Sequence, residues 1–208
     1  MNDELVFYTN PMSRARTVRW MLEEVGAPYR TEILDYGTTM KAPAYLAINP
    51  MGKVPAIVHR GDVVTEGSAI CAYLADAFPE AGLAPPTTER ADYYRWLFFA
   101  TGPLDAALVD KALGRTIPPE RAAMVGYAGF DAVIDAIEAA VAKRPHIAGD
   151  TFSAADCYIG SYLSFFMRFG LVPPRPVFRG YIDRLEARPA FLRATEIDGA
   201  MPPPKATA

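Results

Sequence analysis

Apolar and polar positions in the first third of the chain alternate between the spacings that strands and helices require. An apolar run over residues 5–8 predicts a strand, which the turn-forming pair Asn10-Pro11 ends. Apolar residues then recur three and four positions apart until Gly26, and this spacing predicts a helix with Ser13 as its N-cap. Alternation over residues 29–34 predicts a second strand.

Further elements are predicted before residue 80. Residues 41–47 have a short helical pattern, and apolar runs over residues 56–59 and 63–65 predict two strands joined by a hairpin turn at Gly61-Asp62. Apolar spacing over residues 68–78 predicts a helix. The predicted order is therefore β-α-β-α-β-β-α, which is an α/β sandwich.

The pattern changes after residue 79. Residues 80–89 contain prolines and a glycine but few large apolar groups, a composition typical of a linker. Beyond this linker we expect helices and no strand, with helical patterns over residues 89–112 (kinked at Gly102-Pro103), 119–143, 154–167, 177–188 and 190–194. We therefore predict an α/β domain over residues 1–79, a linker over residues 80–89 and an all-helical domain over residues 90–208.

Composition and charge narrow the class of protein. The chain has 208 residues, of which 51% are hydrophobic and 22% are charged, so it can build a sizeable core. The net charge is −3 with both signs interspersed, so no nucleic-acid partner is expected. No apolar run reaches the roughly 18 residues that predict a membrane span. The acidic start of the chain is unlike a secretory signal, and we expect a cytoplasmic protein with no membrane partner.

Cysteine and histidine positions add two expectations. Cys71 and Cys157 both lie in apolar helical contexts, which predicts buried thiols rather than a disulfide and is typical of a reducing compartment. His59 and His146 have no partner at metal-ligand spacing, so we expect no metal.

Two neighbouring segments carry the most specific chemistry. Pro55 stands just before a β-branched run and cannot donate to a sheet, so we expect it at the first position of a strand. Extended backbone at Val54 then has an N–H and a C=O available to a peptide-like ligand. Glu66 and Ser68 stand where the next helix begins, and free N–H groups there form a site for a carboxylate. The pair of segments predicts a site for a small peptide with a carboxylate.

The order of elements, together with residues 49–58 and 66–69, strongly resembles the soluble glutathione transferases over nearly the whole chain. Residues 8–26 look like the first β-α unit of bacterial members, and Pro55 matches the family's cis-proline. Residues 149–156 match the family's folding signature. The resemblance implies a thioredoxin-like first domain with a mixed four-stranded sheet, followed by an all-helical domain.

The folding signature also has a physical meaning of its own. Ser153 is placed as an N-cap, and Asp156 can reach back to the Ser153 N–H, which is a capping-box arrangement with Phe152 as a staple residue. The turn after the first strand lacks the two cysteines that redox proteins of the thioredoxin fold carry at this position. Residues 10–13 are Asn-Pro-Met-Ser and contain no Cys-x-x-Cys, so dithiol exchange is excluded there and the implied thiol is that of glutathione.

The resemblance implies that the protein activates this thiol. A free thiol has a pKa of about 8.5, and a hydroxyl that donates to the sulfur near a positive helix end favours the thiolate. Ser13 lies where theta-like and many bacterial members carry a catalytic serine, and Tyr8 lies close to the tyrosine of the tyrosine-type classes. We favour Ser13, with Tyr8 and Asn10 as alternative donors. Ser13 can instead be a plain N-cap, and Tyr8 a packed sheet residue.

The resemblance also assigns the residues that hold glutathione, which are Lys41, Lys53, Val54, Pro55, Glu66, Gly67 and Ser68. Val54 is expected to pair with the cysteinyl backbone, while Glu66 and Ser68 hold the γ-glutamyl end. Gly67 departs from the commoner motif, which has serine at this position, and this puts the hydroxyl contact in doubt. Lys41 and Lys53 are candidates for the glycine carboxylate, and each can instead be a solvated lysine.

The second substrate is expected between the domains, against Met12, Tyr93, Trp96, Phe99 and Phe166. Aromatic residues at helical spacing are also typical of a core. The implied function is conjugation of glutathione to small hydrophobic electrophiles in detoxification, with hydroperoxide reduction as a further use of the thiolate. The alternatives are a glutathione-dependent isomerase or dehalogenase and a non-catalytic glutathione- or partner-binding protein. Glutathione is expected as co-substrate with no permanent cofactor, and the family implies a homodimer.

Overall fold

The computed structural model describes residues 4–201, which divide into two compact units. The first unit contains residues 4–84 together with residues 187–201, and the second contains residues 85–186. The first break lies within the predicted linker, but the last segment of the chain belongs to the first unit. The ends of the predicted domains, residues 1–3 and 202–208, lie outside the described residues.

A mixed four-stranded sheet organises the first unit. Its strands are β1 (Leu5–Thr9), β2 (Arg30–Ile33), β3 (Ala56–His59) and β4 (Asp62–Thr65). They lie in the order β2-β1-β3-β4, with β1 parallel to β2 and the other two pairs antiparallel. The predicted strands are confirmed to within one or two residues at each end.

The helices of the first half are α1 (Arg16–Val25), α2 (Pro43–Leu46) and α3 (Gly67–Ala77). With the strands they follow the predicted order β-α-β-α-β-β-α, and the expected thioredoxin-like arrangement is confirmed. Helix α1 ends at Gly26, which has the left-handed φ of 73° that glycine accommodates without a steric penalty.

The second unit contains helices and no strand within the part of the chain that the structure describes. Its helices are α4 (Ala91–Phe99), α5 (Asp105–Ala112), α6 (Phe130–Val141), α7 (Ala154–Arg168) and α8 (Pro176–Glu186). The kink expected at Gly102-Pro103 is a π-helical turn over Ala100–Leu104, because Pro103 cannot donate an N–H to the preceding turn.

Two predicted helices are wrong in extent, one over residues 190–194, where the helix covers Pro189–Asp198, and one over residues 119–143. The helix expected over residues 119–143 is instead a short 3-10 helix, Pro119–Met124, followed by α6. Gly126 and Gly129 lie between them, and Gly129 adopts a φ of 110° that is incompatible with a continuous helix. Helical periodicity on both sides of a break cannot by itself show where the backbone leaves the helix.

The predicted capping box at the start of α7 is confirmed. Asp156 is fully buried, and its carboxylate accepts the Ser153 N–H at 3.0 Å. The same carboxylate accepts the Ile147 N–H at 2.7 Å and the Tyr181 hydroxyl at 2.8 Å. Burial and the nearby carboxylate raise the pKa of Tyr181 well above its ordinary value. Asp156 therefore joins α7, α8 and the preceding loop through one buried acceptor.

A last helix, α9 (Pro189–Asp198), completes the first unit. The ring of Phe191 packs edge-on against Trp20 of α1 at 5.1 Å, and Arg188 forms two hydrogen bonds to Glu24, at 2.6 and 2.8 Å. This differs from the expectation of one helical domain up to residue 208, because α9 buries its apolar side against α1.

Cys71 and Cys157 are buried and no disulfide links them, as expected. Among residues 4–201, no helix is both long enough and apolar enough to cross a bilayer. Within the same range, no cluster of three or more metal-binding side chains is found.

Candidate functional site

A turn over residues 49–53 prepares the backbone that enters β3. The amide nitrogen of Asn49 donates to the Lys53 carbonyl at 2.8 Å, and its amide oxygen accepts the Met51 N–H at 3.1 Å. The hydroxyl of Tyr45 donates to the same Lys53 carbonyl at 2.6 Å. Burial raises the pKa of Tyr45 to about 12, which keeps this donor protonated. Two buried side chains thus fix the residue that precedes Val54.

Gly52 is required within this turn. It has a φ of 56°, and a Cβ at this position would lie 2.9 Å from the Met40 carbonyl. The ammonium group of Lys41 donates to the Met51 and Gly52 carbonyls at 3.1 and 2.9 Å. In this structure Lys41, a candidate for the glycine carboxylate, therefore stabilises the turn itself.

Val54 and Pro55 are joined by a cis peptide bond one residue ahead of β3. Neither the N–H nor the C=O of Val54 has a hydrogen-bond partner among residues 4–201. Val54 is partly exposed, so these two groups are available to a ligand. This is the arrangement that the sequence predicts.

The start of α3 presents a second set of unpaired donors. The N–H groups of Gly67, Ser68 and Ala69, and the hydroxyl of Ser68, have no partner within the described part of the chain. Three N–H groups at the positive end of an eleven-residue helix favour an anion. Glu66 precedes them with a φ of 66°, a conformation that costs a non-glycine residue about 1–3 kcal/mol and occurs often at binding sites.

The β3–β4 hairpin brings the two sets together. Ala56 lies opposite Thr65 in the antiparallel register, so Pro55 and Glu66 leave the hairpin side by side at the same end. The unpaired backbone at Val54 and the unpaired N–H groups of α3 therefore belong to one edge of the first unit.

The Asn10–Ser13 turn follows β1. Asn10 is buried; its amide nitrogen donates to the Leu34 carbonyl at 2.7 Å and its amide oxygen accepts the Met12 N–H at 2.9 Å. The Ser13 hydroxyl donates to the Asn10 carbonyl at 2.7 Å and accepts the Ala15 N–H at 3.1 Å. The prediction that Ser13 is the N-cap of this helix is wrong, because α1 begins at Arg16 with Ala15 as its N-cap. Ser13 instead stabilises the turn that precedes the helix, and its hydroxyl proton is donated to the Asn10 carbonyl.

Tyr8, the alternative donor to sulfur, lies in an apolar cluster rather than in the turn. Its ring packs on that of Tyr45, with 5.5 Å between the ring centroids, in an apolar cluster that also contains Val54. No hydrogen bond of its hydroxyl is found within residues 4–201. Tyr8 lies opposite Ala56 in the β1–β3 pair, which brings it close to the unpaired backbone of Val54.

The five residues expected to contact the second substrate lie in different surroundings. Met12 is 56% exposed in its turn, whereas Tyr93 and Trp96 are only 1% and 3% exposed. Phe99 is partly buried and packs on Trp96 at 5.2 Å, and the partly buried Phe166 packs on Tyr162 at 5.7 Å. Tyr93 and Trp96 therefore contribute to the core of the helical unit, while Met12, Phe99 and Phe166 retain accessible surface.

The sequence did not identify Tyr45 and Asn49 as functional, although both hold the backbone before Val54. Asn49 is followed by proline and, two residues later, glycine, a pattern typical of an Asx turn, and this signal points to it. Tyr45 carries no comparable signal, because its role depends on a carbonyl group eight residues away.

Comparison with known proteins identifies the family to which the chain belongs. The family model described as "Glutathione S-transferase, N-terminal domain" matches residues 11–77, and the one described as "Glutathione S-transferase, C-terminal domain" matches residues 104–191. Glutathione S-transferase 3 of Zea mays is 31% identical over 219 residues, which cover 98% of this chain and 99% of the relative.

Solved structures agree with this relationship. A glutathione transferase from Methylococcus capsulatus has a TM-score of 0.76 at 28% identity, covering 94% of this chain and 98% of the neighbour. A theta-class glutathione S-transferase from Xanthomonas axonopodis, solved with glutathione bound, has a TM-score of 0.74 at 27% identity, covering 92% and 97%. Since both family models match in order and a relative aligns along nearly its whole length, the chain belongs to the glutathione S-transferase family.

Proposed function

We propose that the protein is a glutathione transferase that activates the glutathione thiol for attack on small hydrophobic electrophiles. The observation that carries this proposal is the unpaired N–H and C=O of Val54, which share one hairpin end with the unpaired N–H groups of α3. The Xanthomonas axonopodis relative was solved with glutathione bound, which supports the choice of ligand.

Each part of glutathione has a matching group in the first unit. The cysteinyl N–H and C=O pair with Val54, in the manner of an added antiparallel strand. The γ-glutamyl carboxylate accepts from the N–H groups of Gly67 and Ser68, and the Ser68 hydroxyl adds a further donor. The exposed carboxylate of Glu66 attracts the γ-glutamyl ammonium. Lys53 is the better candidate for the glycine carboxylate, because Lys41 already donates to two carbonyls.

We assign activation of the sulfur to Ser13. Lowering the thiol pKa by two units requires about 2.7 kcal/mol of preferential stabilisation of the thiolate. A hydrogen bond to a charged group contributes about 1.5–3 kcal/mol, and the N-terminus of α1 adds favourable electrostatics. The Ser13 hydroxyl must turn away from the Asn10 carbonyl to donate to sulfur. That carbonyl keeps the Ser13 N–H at 3.0 Å as a donor, so it is not left unsatisfied.

The thiolate then attacks an electrophilic carbon, a C–S bond forms and the leaving group departs with its electron pair. The same thiolate serves hydroperoxide reduction. Phe99 and Phe166 of the second unit are the proposed contacts of the hydrophobic partner, because both retain accessible surface. We further propose a homodimer, to which the exposed aromatic side chains of Tyr94 and Phe98 on α4 contribute.

Two alternatives have a specific observation in their favour. Tyr8 competes with Ser13 as the activating donor, because its hydroxyl has no hydrogen bond in the described structure and its ring lies in one cluster with Val54. The second alternative is a protein that binds glutathione without catalysis. It is supported by the hydrogen bond from the Ser13 hydroxyl to the Asn10 carbonyl, because a proton donated there is not donated to sulfur.

The test compares wild type, Ser13→Ala, Tyr8→Phe and the control Ser161→Ala on α7. Glutathione binding is measured by calorimetry, and the rate of conjugation to a generic aryl halide is measured against pH. We expect Ser13→Ala to retain glutathione binding and to lower kcat by about tenfold or more, with a higher apparent thiol pKa. If neither Ser13→Ala nor Tyr8→Phe lowers the rate, the assignment of the activating group is wrong. A wild-type protein that does not bind glutathione contradicts the proposed function as a whole.

A further inference from the structure

One guanidinium group joins the Asn10–Ser13 turn to the end of α9. Nη1 of Arg16 donates to the Pro11 carbonyl and to the Asp198 carbonyl, each at 3.3 Å. Nη2 of Arg16 donates to the Gly199 carbonyl at 2.7 Å. All of these groups belong to the first unit.

The Asp198 and Gly199 carbonyls are the natural partners of such a cation. The last carbonyl groups of a helix lack intrahelical donors and carry partial negative charge, so a guanidinium there is stabilised. Arg16 is the first residue of α1, and its planar fork can contact carbonyls on two segments at once. Arg16 therefore donates to the end of α9 and to the turn at the same time, with Nη1 contacting both.

The position of the Pro11 carbonyl matters because the turn carries Ser13. Asn10 closes the inside of the turn through its bonds to the Met12 N–H and the Leu34 carbonyl. Arg16 donates to a different group of the same turn, the Pro11 carbonyl. The turn is thus linked to Leu34, the residue after β2, and through Arg16 to the end of α9.

We propose that Arg16 is a positioning residue for thiol activation. It fixes the position of the Asn10–Ser13 turn by linking the turn to the C-terminal end of α9. Arg16 does not touch the sulfur in this proposal; it acts through the turn that carries Ser13. The catalytic part of the inference rests on the proposed function, whereas the structural part does not.

Arg193 provides a matched control for this proposal. It also joins α9 to α1, through hydrogen bonds to the Glu23 side chain at 3.3 Å and the Glu23 carbonyl at 3.0 Å, and Glu23 lies at the far end of α1 from the turn. Arg16→Met and Arg193→Met therefore each remove a guanidinium link between the same two helices. Only Arg16→Met also removes the donor to the Pro11 carbonyl of the turn.

The first readout is amide hydrogen exchange in the peptide that covers residues 10–16, measured on the full chain without ligand. Arg16→Met is expected to speed exchange of the Met12 and Ser13 amides roughly three- to tenfold relative to wild type. Arg193→Met is expected to leave these amides unchanged. Equal exchange in the two variants overturns the proposal, and it does so whether or not the protein is a transferase.

The second readout is the pH profile of kcat for conjugation of an aryl halide. Arg16→Met is expected to lower kcat roughly tenfold or more and to raise the apparent thiol pKa, because small displacements of a catalytic group are costly. KM for glutathione is expected to change less than kcat, since the unpaired backbone at Val54 lies outside the Asn10–Ser13 turn. Arg16→Lys, which keeps one charged donor, is expected to fall between wild type and Arg16→Met. Faster exchange with an unchanged kcat and pH profile contradicts the catalytic part alone.

Discussion

Nε of Arg19 lies 3.1 Å from Oδ1 of Asp198, and the two side chains are only 3% and 2% exposed. The Arg19 guanidinium also donates to the hydroxyls of Tyr29 and Thr31 at 2.9 and 2.8 Å, and it lies 4.9 Å from the centre of the Phe7 ring. This buried ion pair joins α1 to α9 across 179 residues of sequence. Because both members of the pair are buried, removing either one leaves the other charge away from water.

Asp198→Ala should destabilise the first unit strongly. Removing one member of a buried pair leaves the other charge uncompensated, which typically costs about 3–5 kcal/mol of unfolding free energy. The measurement is denaturant unfolding followed by Trp20 fluorescence in a Trp96→Phe background, where Trp20 is the remaining one of two tryptophans. Asp183→Ala, an exposed aspartate on α8, is the control and should change stability by about 0.5 kcal/mol or less. Equal losses in the two variants would contradict the role given to Asp198.

Tyr45→Phe should alter the dependence of stability on alkaline pH. Burial raises the pKa of Tyr45 to about 12, so between pH about 10 and about 12 the unfolded chain loses this proton and the folded chain keeps it. Stability therefore falls as pH rises through this window, by up to about 1.4 kcal/mol per pH unit from this one group. The Phe variant lacks this contribution, so its unfolding free energy should fall less steeply than that of wild type.

The same substitution has an effect at neutral pH. The Lys53 carbonyl loses the Tyr45 hydroxyl but keeps the Asn49 amide, so a loss of about 1 kcal/mol is expected. Tyr36→Phe, at an exposed tyrosine, serves as the control in both measurements. Parallel pH dependences for wild type and Tyr45→Phe would disprove the prediction.

Thr9→Val should increase stability. Thr9 is fully buried at the end of β1, and its hydroxyl has no hydrogen-bond partner among residues 4–201. An unsatisfied buried hydroxyl costs about 1–3 kcal/mol, and valine removes it with little change in shape. Thr31→Val is a control of opposite sign, because the Thr31 hydroxyl accepts from Arg19 at 2.8 Å. Thermal unfolding of both variants checks the pair; a lower melting temperature for Thr9→Val contradicts the prediction.

Gly52→Ala should damage the turn before Val54 more than Gly26→Ala damages the end of α1. Both glycines have a positive φ, which costs an alanine about 1–2 kcal/mol. A Cβ at Gly26 meets nothing within 4 Å, whereas at Gly52 it lies 2.9 Å from the Met40 carbonyl. Gly52→Ala should therefore lose about 1–3 kcal/mol more in denaturant unfolding.

A binding measurement separates this local effect from general instability. Because the Gly52 turn leads directly into Val54, Gly52→Ala should also weaken glutathione binding in calorimetry, whereas Gly26→Ala should not. Equal affinities for the two variants would show that the turn does not position Val54.

The sequence by itself determined the order of elements before residue 80, and it predicted the unpaired backbone at Val54 and at the start of α3. Apolar runs over residues 5–8, 56–59 and 63–65 located strands because a short apolar run bounded by turn residues is a local property of the chain. Pro55 and Glu66 could be interpreted from sequence for the same reason, since proline geometry and a helix start are set by a few neighbouring residues.

Only the tertiary structure decided that α9 packs in the first unit and that the Ser13 hydroxyl donates to the Asn10 carbonyl. The amphipathic pattern of α9 shows that it buries a face, but Trp20 and Arg19, which receive it, lie some 170 residues earlier in the chain. Likewise the sequence places a hydroxyl at Ser13, whereas its bond to the Asn10 carbonyl and the contact of Arg16 with Pro11 depend on the folded turn. Such contacts depend on distances between segments, and the local spacing of residues does not encode them.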